Sequence, residues 1–151
     1  MSELSRREVA CAILLDTFGR LLLQQRDNIP GLVFAGMVNL FGGHREGTET
    51  YLECVVREIY EEISFFVAPG CFKYLSDYNA VVPEINAIVH GEIFIARDVP
   101  AQTLVITEGS LLIINPDELI AVESNLTPVA RYAIRAFLKN ESGHLFAGVR
   151  I

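Results

Sequence analysis

Val9 to Asp16 and Arg20 to Gln25 are two β-rich apolar runs separated by Asp16-Thr17-Phe18-Gly19, so the opening predicts a hairpin. Asn28 to Gly36, with Pro30 and Gly31, predicts a loop. Met37 to Phe41 predicts a short strand feeding a turn at Gly42-Gly43. The period then changes. Leu52, Val55, Val56, Ile59 and Ile63 fall on one stripe at helical spacing, predicting a helix over roughly Thr50 to Ile63 that packs on a sheet. Phe72 to Asn79 and Ile85 to Ala96 are strand-like, with a turn near Pro83. Pro100 to Ser110 reads as a loop and Leu111 to Ile114 as a last short strand. Asn115-Pro116-Asp117-Glu118 has an N-cap residue, a proline at the first helical position and acids in the first turn, so it starts a short helix. Thr127-Pro128 repeats that signature before a helix expected to bury Val129, Ala133, Ile134, Phe137 and Leu138. The stretch from Glu141 to Ile151 has no assignment. This order predicts an α/β protein with a mixed sheet between helices.

Composition narrows the class. The 151 residues suit one domain with a real core, and 51% hydrophobic against 21% charged residues excludes disorder. No apolar run approaches the ~20 residues of a membrane span. The apolar run after Glu3, Arg6, Arg7 and Glu8 is too short and too charged for a secretory signal, so a cytoplasmic protein without membrane association is expected. Cys11, Cys54 and Cys71 are odd in number and widely spaced, which predicts buried reduced thiols. A net charge of −7 argues against a nucleic-acid polymer as partner. It suits a small anionic substrate only if metal ions intervene, and a monomer or homodimer is expected.

The acidity is concentrated in one place. Glu58, Glu61 and Glu62 fall within a ~100° arc of the helix that follows Gly42-Gly43. Like charges at this spacing repel, and a divalent cation is the natural counter-charge, since hard cations prefer carboxylate and carbonyl oxygens. Thr48 or Thr50 can cap that helix. Arg57 is flanked by Glu53 and Glu61, four residues either way. Cys54, on the glutamate side, is small enough to let the helix approach neighbouring backbone closely.

The spacing of these residues carries a resemblance. Gly43, five residues, Glu49, seven residues, then Arg57-Glu58-Ile59-Tyr60-Glu61-Glu62 and Ser64-Phe65 resembles the Nudix box, G-x5-E-x7-R-E-U-x-E-E-x-G-U, with U an apolar residue. Every fixed polar position matches, as do both U positions, Ile59 and Phe65. Ser64 departs, standing where the family has glycine to end the helix, and a slightly different helix end is expected. Leu21 to Asp27 and Glu108-Gly109 look like the family's second strand and late loop.

The resemblance implies an α/β/α sandwich and metal-dependent hydrolysis of a nucleoside diphosphate linked to another moiety, with Mg²⁺, or Mn²⁺, as cofactor. Glu58, Glu61 and Glu62 would be the carboxylate ligands, with the Gly42 carbonyl as a further one. Arg57 would pair with Glu49 in a structural role. One of these glutamates, or a glutamate on a later loop, would orient or deprotonate water; Glu108, just before a strand and followed by glycine, is the candidate for that loop residue, and Glu92 is a weaker one. Arg26 and His44 are candidates to meet substrate phosphate. Phe34, Tyr74 and Tyr78 could stack on a base, although aromatic residues at such positions more often serve the core.

A nucleoside triphosphate is the substrate expected from the compact size, with ADP-ribose and nucleotide sugars open. Two other readings stay open beside the enzyme. One is a Nudix fold kept as a nucleotide or metabolite sensor without turnover. The other is an acidic helix that is only the solvated face of an interaction domain.

Overall fold

The computed structural model describes residues 3–145. Its centre is a seven-stranded mixed sheet built from β1 (Ser5–Asp16), β2 (Leu21–Gln25), β3 (Val38–Asn39), β4 (Phe41–His44), β5 (Lys73–Val82), β6 (Ala87–Val99) and β7 (Ser110–Ile114). The main order is β3-β2-β1-β6-β5, with β4 pairing β1 and β7 pairing β2. β1 and β6 run parallel, and the other pairings are antiparallel. Two helices, α1 (Tyr51–Ile63) and α2 (Pro128–Leu145), cover opposite faces.

β1 shows why the two layers form. Its period-2 alternation sends Cys11, Ile13 and Leu15 to one face, with Ala130, Ala133, Ile134 and Phe137 of α2. Ala10, Ala12 and Leu14 go to the other, with Cys54, Val55, Ile59 and Ile63 of α1. The small side chains on that second face let α1 lie close to the sheet. Burying a residue such as Ile59 contributes about 1.5–3 kcal/mol. The fold class is therefore the expected α/β/α sandwich.

Several boundaries move. β1 starts at Ser5, four residues before the expected Val9, because its extra residues pair with β6 from Ala87 onward. β5 and β6 extend to Val82 and Val99, joined by a 3-10 turn at Pro83–Ile85. The expected short helix after Asn115 is a 3-10 turn, Pro116–Ala121, and the Glu118 side chain accepts from the Asn115 N–H. Val129 and Leu138 are only partly buried on α2, which runs on to residue 145; residues 146–151 lie outside the described residues.

Two corrections matter for the site. Gly42-Gly43 is not a turn but part of β4, paired with Cys11 and Ala10. Glycine is required there by proximity: a Cβ on Gly42 would lie 2.3 Å from the Ala10 carbonyl oxygen, and Gly42 has φ 150°. The buried face of α1 is also rotated. Cys54, Val55, Ile59, Glu62 and Ile63 are buried, while Leu52, expected on the stripe, is 37% exposed. The sheet-facing rows are 54-58-62 and 55-59-63, so two of the glutamates face inward. Cys71 is another departure, exposed on a surface turn, while Cys11 and Cys54 are buried thiols as expected. Among the described residues, no helix is long and apolar enough to cross a membrane.

Candidate active site

α1 is held firmly at both ends. Thr50 is its N-cap, accepting from the Glu53 N–H while the Glu53 side chain accepts from the Thr50 N–H. At the other end Ser64 adopts the left-handed conformation, φ 57° and ψ 34°, and its N–H donates to the Tyr60 carbonyl. The helix thus closes in the geometry glycine would give, which corrects the expectation of a different helix end. Serine accepts a steric cost there, of order 1 kcal/mol.

Arg57 is the hub of the loop before α1. Its guanidinium donates to both Glu49 oxygens, at 2.6 and 2.9 Å, and to the His44 carbonyl at 3.0 Å. The remaining nitrogen reaches Glu58 at 2.9 Å and Glu61 at 3.3 Å. The Arg57 hydrogen bonds hold the Glu49 carboxyl down at about 2, with a further contribution from the Glu46 N–H. One side chain therefore ties the approach loop, the end of β4 and the glutamate helix together.

Glu62 is 9% exposed and accepts from the Gly42 N–H at 2.7 Å. Burial first, and then the charges of Glu58, Glu108 and Glu61, push its carboxyl up to about 8 against the pull of that N–H. Glu108 arrives from the loop before β7, which is fastened to the C-terminal carbonyls of α1. Val105 N–H donates to Ile63, Thr107 N–H to Glu62, and the Thr107 hydroxyl to Glu61. Buried Gln24 of β2 holds the Glu108 carbonyl at 3.0 Å. Glu58, Glu61 and Glu108 thereby lie near enough for their charges to act on Glu62, with Glu61 and Glu108 exposed.

The donor set fits a hard divalent cation. It consists of mutually repelling carboxylates, partly offset by Arg57 at Glu58 and Glu61, beside a strand of glycines, and a Cβ on Gly43 would fill the Glu58 position, 2.3 Å from its carboxyl carbon. Among the described residues no three acidic, histidine or cysteine side chains are already drawn into a cage. Glu58 is turned to Arg57 and Glu62 to the Gly42 N–H.

Gly42 and Gly43 also border a cavity of about 520 Å³ on the α2 face of the sheet. Arg26 and His44 line it, and so do Phe34 and Tyr78 among the candidate aromatic residues. Arg26 is committed through Nε to the Val33 carbonyl at 3.0 Å. Phe34 has φ 55°, an unusual conformation for an aromatic residue. Tyr74 lies elsewhere, exposed and edge-on to Phe94. Glu92 sits half-buried on β6 with Asp77, His90 and Tyr51, and burial raises its carboxyl. Asn39, in the cavity wall, and Gln24, behind Glu108, carried no sequence signal as site residues, and Thr127, also in the wall, was marked only as a helix start.

Comparison with known proteins bears on this arrangement. The NUDIX domain model matches residues 5–145. The chain belongs to the Nudix family. It is a Nudix hydrolase, of a family that generally uses divalent metal ions. No curated protein sequence matches it. Among solved structures it resembles the E. coli ORF135 protein, with TM-score 0.74 and 23% identity over 95% of this chain and 96% of that one. The MutT protein of Methanosarcina mazei Go1 aligns with TM-score 0.77 and 19% identity, covering 93% and 99%. The E. coli dihydroneopterin triphosphate pyrophosphohydrolase aligns with TM-score 0.69 and 16% identity, covering 92% and 99%. At these identities the likeness is one of fold.

Proposed function

We propose that this Nudix hydrolase is a nucleoside triphosphate pyrophosphohydrolase that works with Mg²⁺ or Mn²⁺. The observation that carries the reading is the position of β4. Gly42 and Gly43 border the cavity and also touch Glu62 and Glu58, so one bound molecule can place an apolar base in the cavity and its phosphates at the carboxylates. A volume of about 520 Å³ suits a nucleoside. The triphosphate substrate named for one structural neighbour supports the same class. The family match over residues 5–145 also supports taking the chain as a single domain.

In this reading Glu58, Glu61, Glu62 and the Gly42 carbonyl hold the cation. A divalent ion held there would supply positive charge against the phosphates and make water more acidic. Glu108, exposed and within electrostatic reach of Glu62, orients the attacking water and takes its proton. The new bond runs from water oxygen to phosphorus, the anhydride P–O bond breaks, and pyrophosphate leaves with the electron pair. Arg57 and Glu49 keep β4 and α1 in register without touching substrate. Arg26 and His44 flank the path between base and phosphates.

A screen of nucleoside triphosphates, ADP-ribose and nucleotide sugars with Mg²⁺ or Mn²⁺, reading pyrophosphate against phosphate release, tests this. Pyrophosphate with the nucleoside monophosphate is the expected product pair. Turnover confined to sugar nucleotides or ADP-ribose would overturn the substrate class, and binding without turnover would establish a sensor.

A further inference from the structure

Asn39 ends β3, Thr127 immediately precedes α2, and both line the cavity beside β4. Thr127 is fully buried, so its hydroxyl must find partners inside the protein. It accepts from the Ala130 N–H at 3.3 Å, capping the first turn of α2. Its own proton goes to Asn39 Oδ1 at 2.7 Å. The backbone reinforces the pair, with Thr127 N–H donating to the Val38 carbonyl at 2.9 Å.

These bonds have a direction. If the Asn39 amide were turned over, its NH₂ would face the Thr127 hydroxyl and leave that hydroxyl proton unmet in a fully buried place. The amide oxygen is therefore committed to Thr127. Among the described residues Nδ2 of Asn39 makes no hydrogen bond, and it is not sealed from solvent. The other amide on the cavity wall, Asn79, is tied through its oxygen to His90 Nδ1 at 2.9 Å. The Tyr132 hydroxyl donates to the Asp77 carbonyl. At Asn39 the cavity thus presents a fixed donor.

We propose that Asn39, oriented by Thr127 as its positioning residue, selects nucleotides whose base presents a ring carbonyl, as in guanine or uracil. Bases with an exocyclic amine at that edge, adenine and cytosine, bring a donor against a donor. The inference rests on the nucleoside triphosphate reading of the site and refines it. A site built to bond one group rejects the analogue lacking it, because its buried polar groups are left unpaired.

The test measures equilibrium binding, which does not depend on turnover. Non-hydrolysable α,β-methylene analogues of GTP, UTP, ATP and CTP are titrated against the full chain in Mg²⁺, alongside hydrolysis of the four natural nucleotides. The guanine and uracil analogues are expected to bind about tenfold more tightly than the adenine and cytosine ones. Asn39→Asp, which offers an acceptor, is expected to abolish or invert that ratio. Thr127→Val, which frees the amide to turn, is expected to flatten it, whereas Thr127→Ser keeps it. A merely structural Thr127 would change all four affinities together. Equal affinities in the wild type, a ratio untouched by Asn39→Asp, or no binding of any analogue would each overturn the inference. A carbonyl preference in binding with no hydrolysis of any of the four would leave it standing and overturn the proposed activity.

Discussion

Replacing Glu62 with glutamine exposes the conflict that makes this site. Glu62 is 9% exposed and shares its surroundings with Glu58, Glu61 and Glu108. Its carboxyl is raised from 4.5 to about 8, first by burial and then by those charges. At about 1.4 kcal/mol per tenfold change in proton affinity, the ceiling on the linked stability is roughly 5 kcal/mol. Local relaxation and water entry reduce this to about 2–3 kcal/mol. Because the folded state holds the proton more tightly than the unfolded chain, the contribution is fully present below about 4.5 and is lost as pH rises through about 8. Glutamine keeps the size and can still accept from the Gly42 N–H, but it never ionises. Urea denaturation in EDTA, from about pH 5 to about pH 9, is the assay. Wild type and Glu62→Gln are expected to coincide at the acid end, with the variant more stable by about 2 kcal/mol at the alkaline end. Added Mg²⁺ is expected to stabilise the wild type and leave the variant little changed. Parallel pH curves, or a variant less stable at alkaline pH, would refute the buried, repelled carboxylate.

Arg57→Ala is expected to lower the melting temperature by roughly 5 °C or more and to lower turnover with it, because it unties Glu49, His44 and two glutamates at once; a silent variant in melts and assays removes its bracing role. Ser64→Gly is expected to raise stability by about 0.5–1 kcal/mol without changing turnover, since φ 57° favours glycine; an unchanged or lower melting temperature contradicts the strained helix end. Gly43→Ala is expected to abolish most turnover with little unfolding, because the three atoms nearest its Cβ are the carboxyl end of the Glu58 side chain and not backbone. Gly42→Ala meets Ala10 backbone at 2.3 Å and is expected to unfold the protein instead. Far-ultraviolet circular dichroism beside turnover separates the two, and the reverse pattern would show that the roles of the glycines are exchanged.

The legibility of this protein in its sequence divides along physical lines. The box helix, the hairpin at Asp16–Gly19 and both proline-led starts could be read because period, capping and turn chemistry are local. The class of fold followed from their order. What could not be read depends on which strand lies beside which. Gly42-Gly43 has the composition of a turn, and only the pairing with β1 makes it a strand. The rotation of α1 that buries Glu62 and exposes Leu52 comes from the small Ala10 and Ala12 beneath it. Gln24 and Thr107 are ordinary polar residues until the loop carrying Glu108 is seen fastened to them. The Asn39–Thr127 pair spans 88 residues of chain and has no local signature.

In the proposed mechanism the α1 glutamates act on a phosphoanhydride through a divalent cation. Its most direct test is steady-state pyrophosphate release from nucleoside triphosphates as Mg²⁺ is titrated, for wild type and Glu58→Gln in parallel. Expected are no release in EDTA, recovery on adding Mg²⁺, and a variant that stays folded yet loses turnover by orders of magnitude across the titration. Release that persists in excess EDTA, or a folded Glu58→Gln that matches the wild type, would contradict it.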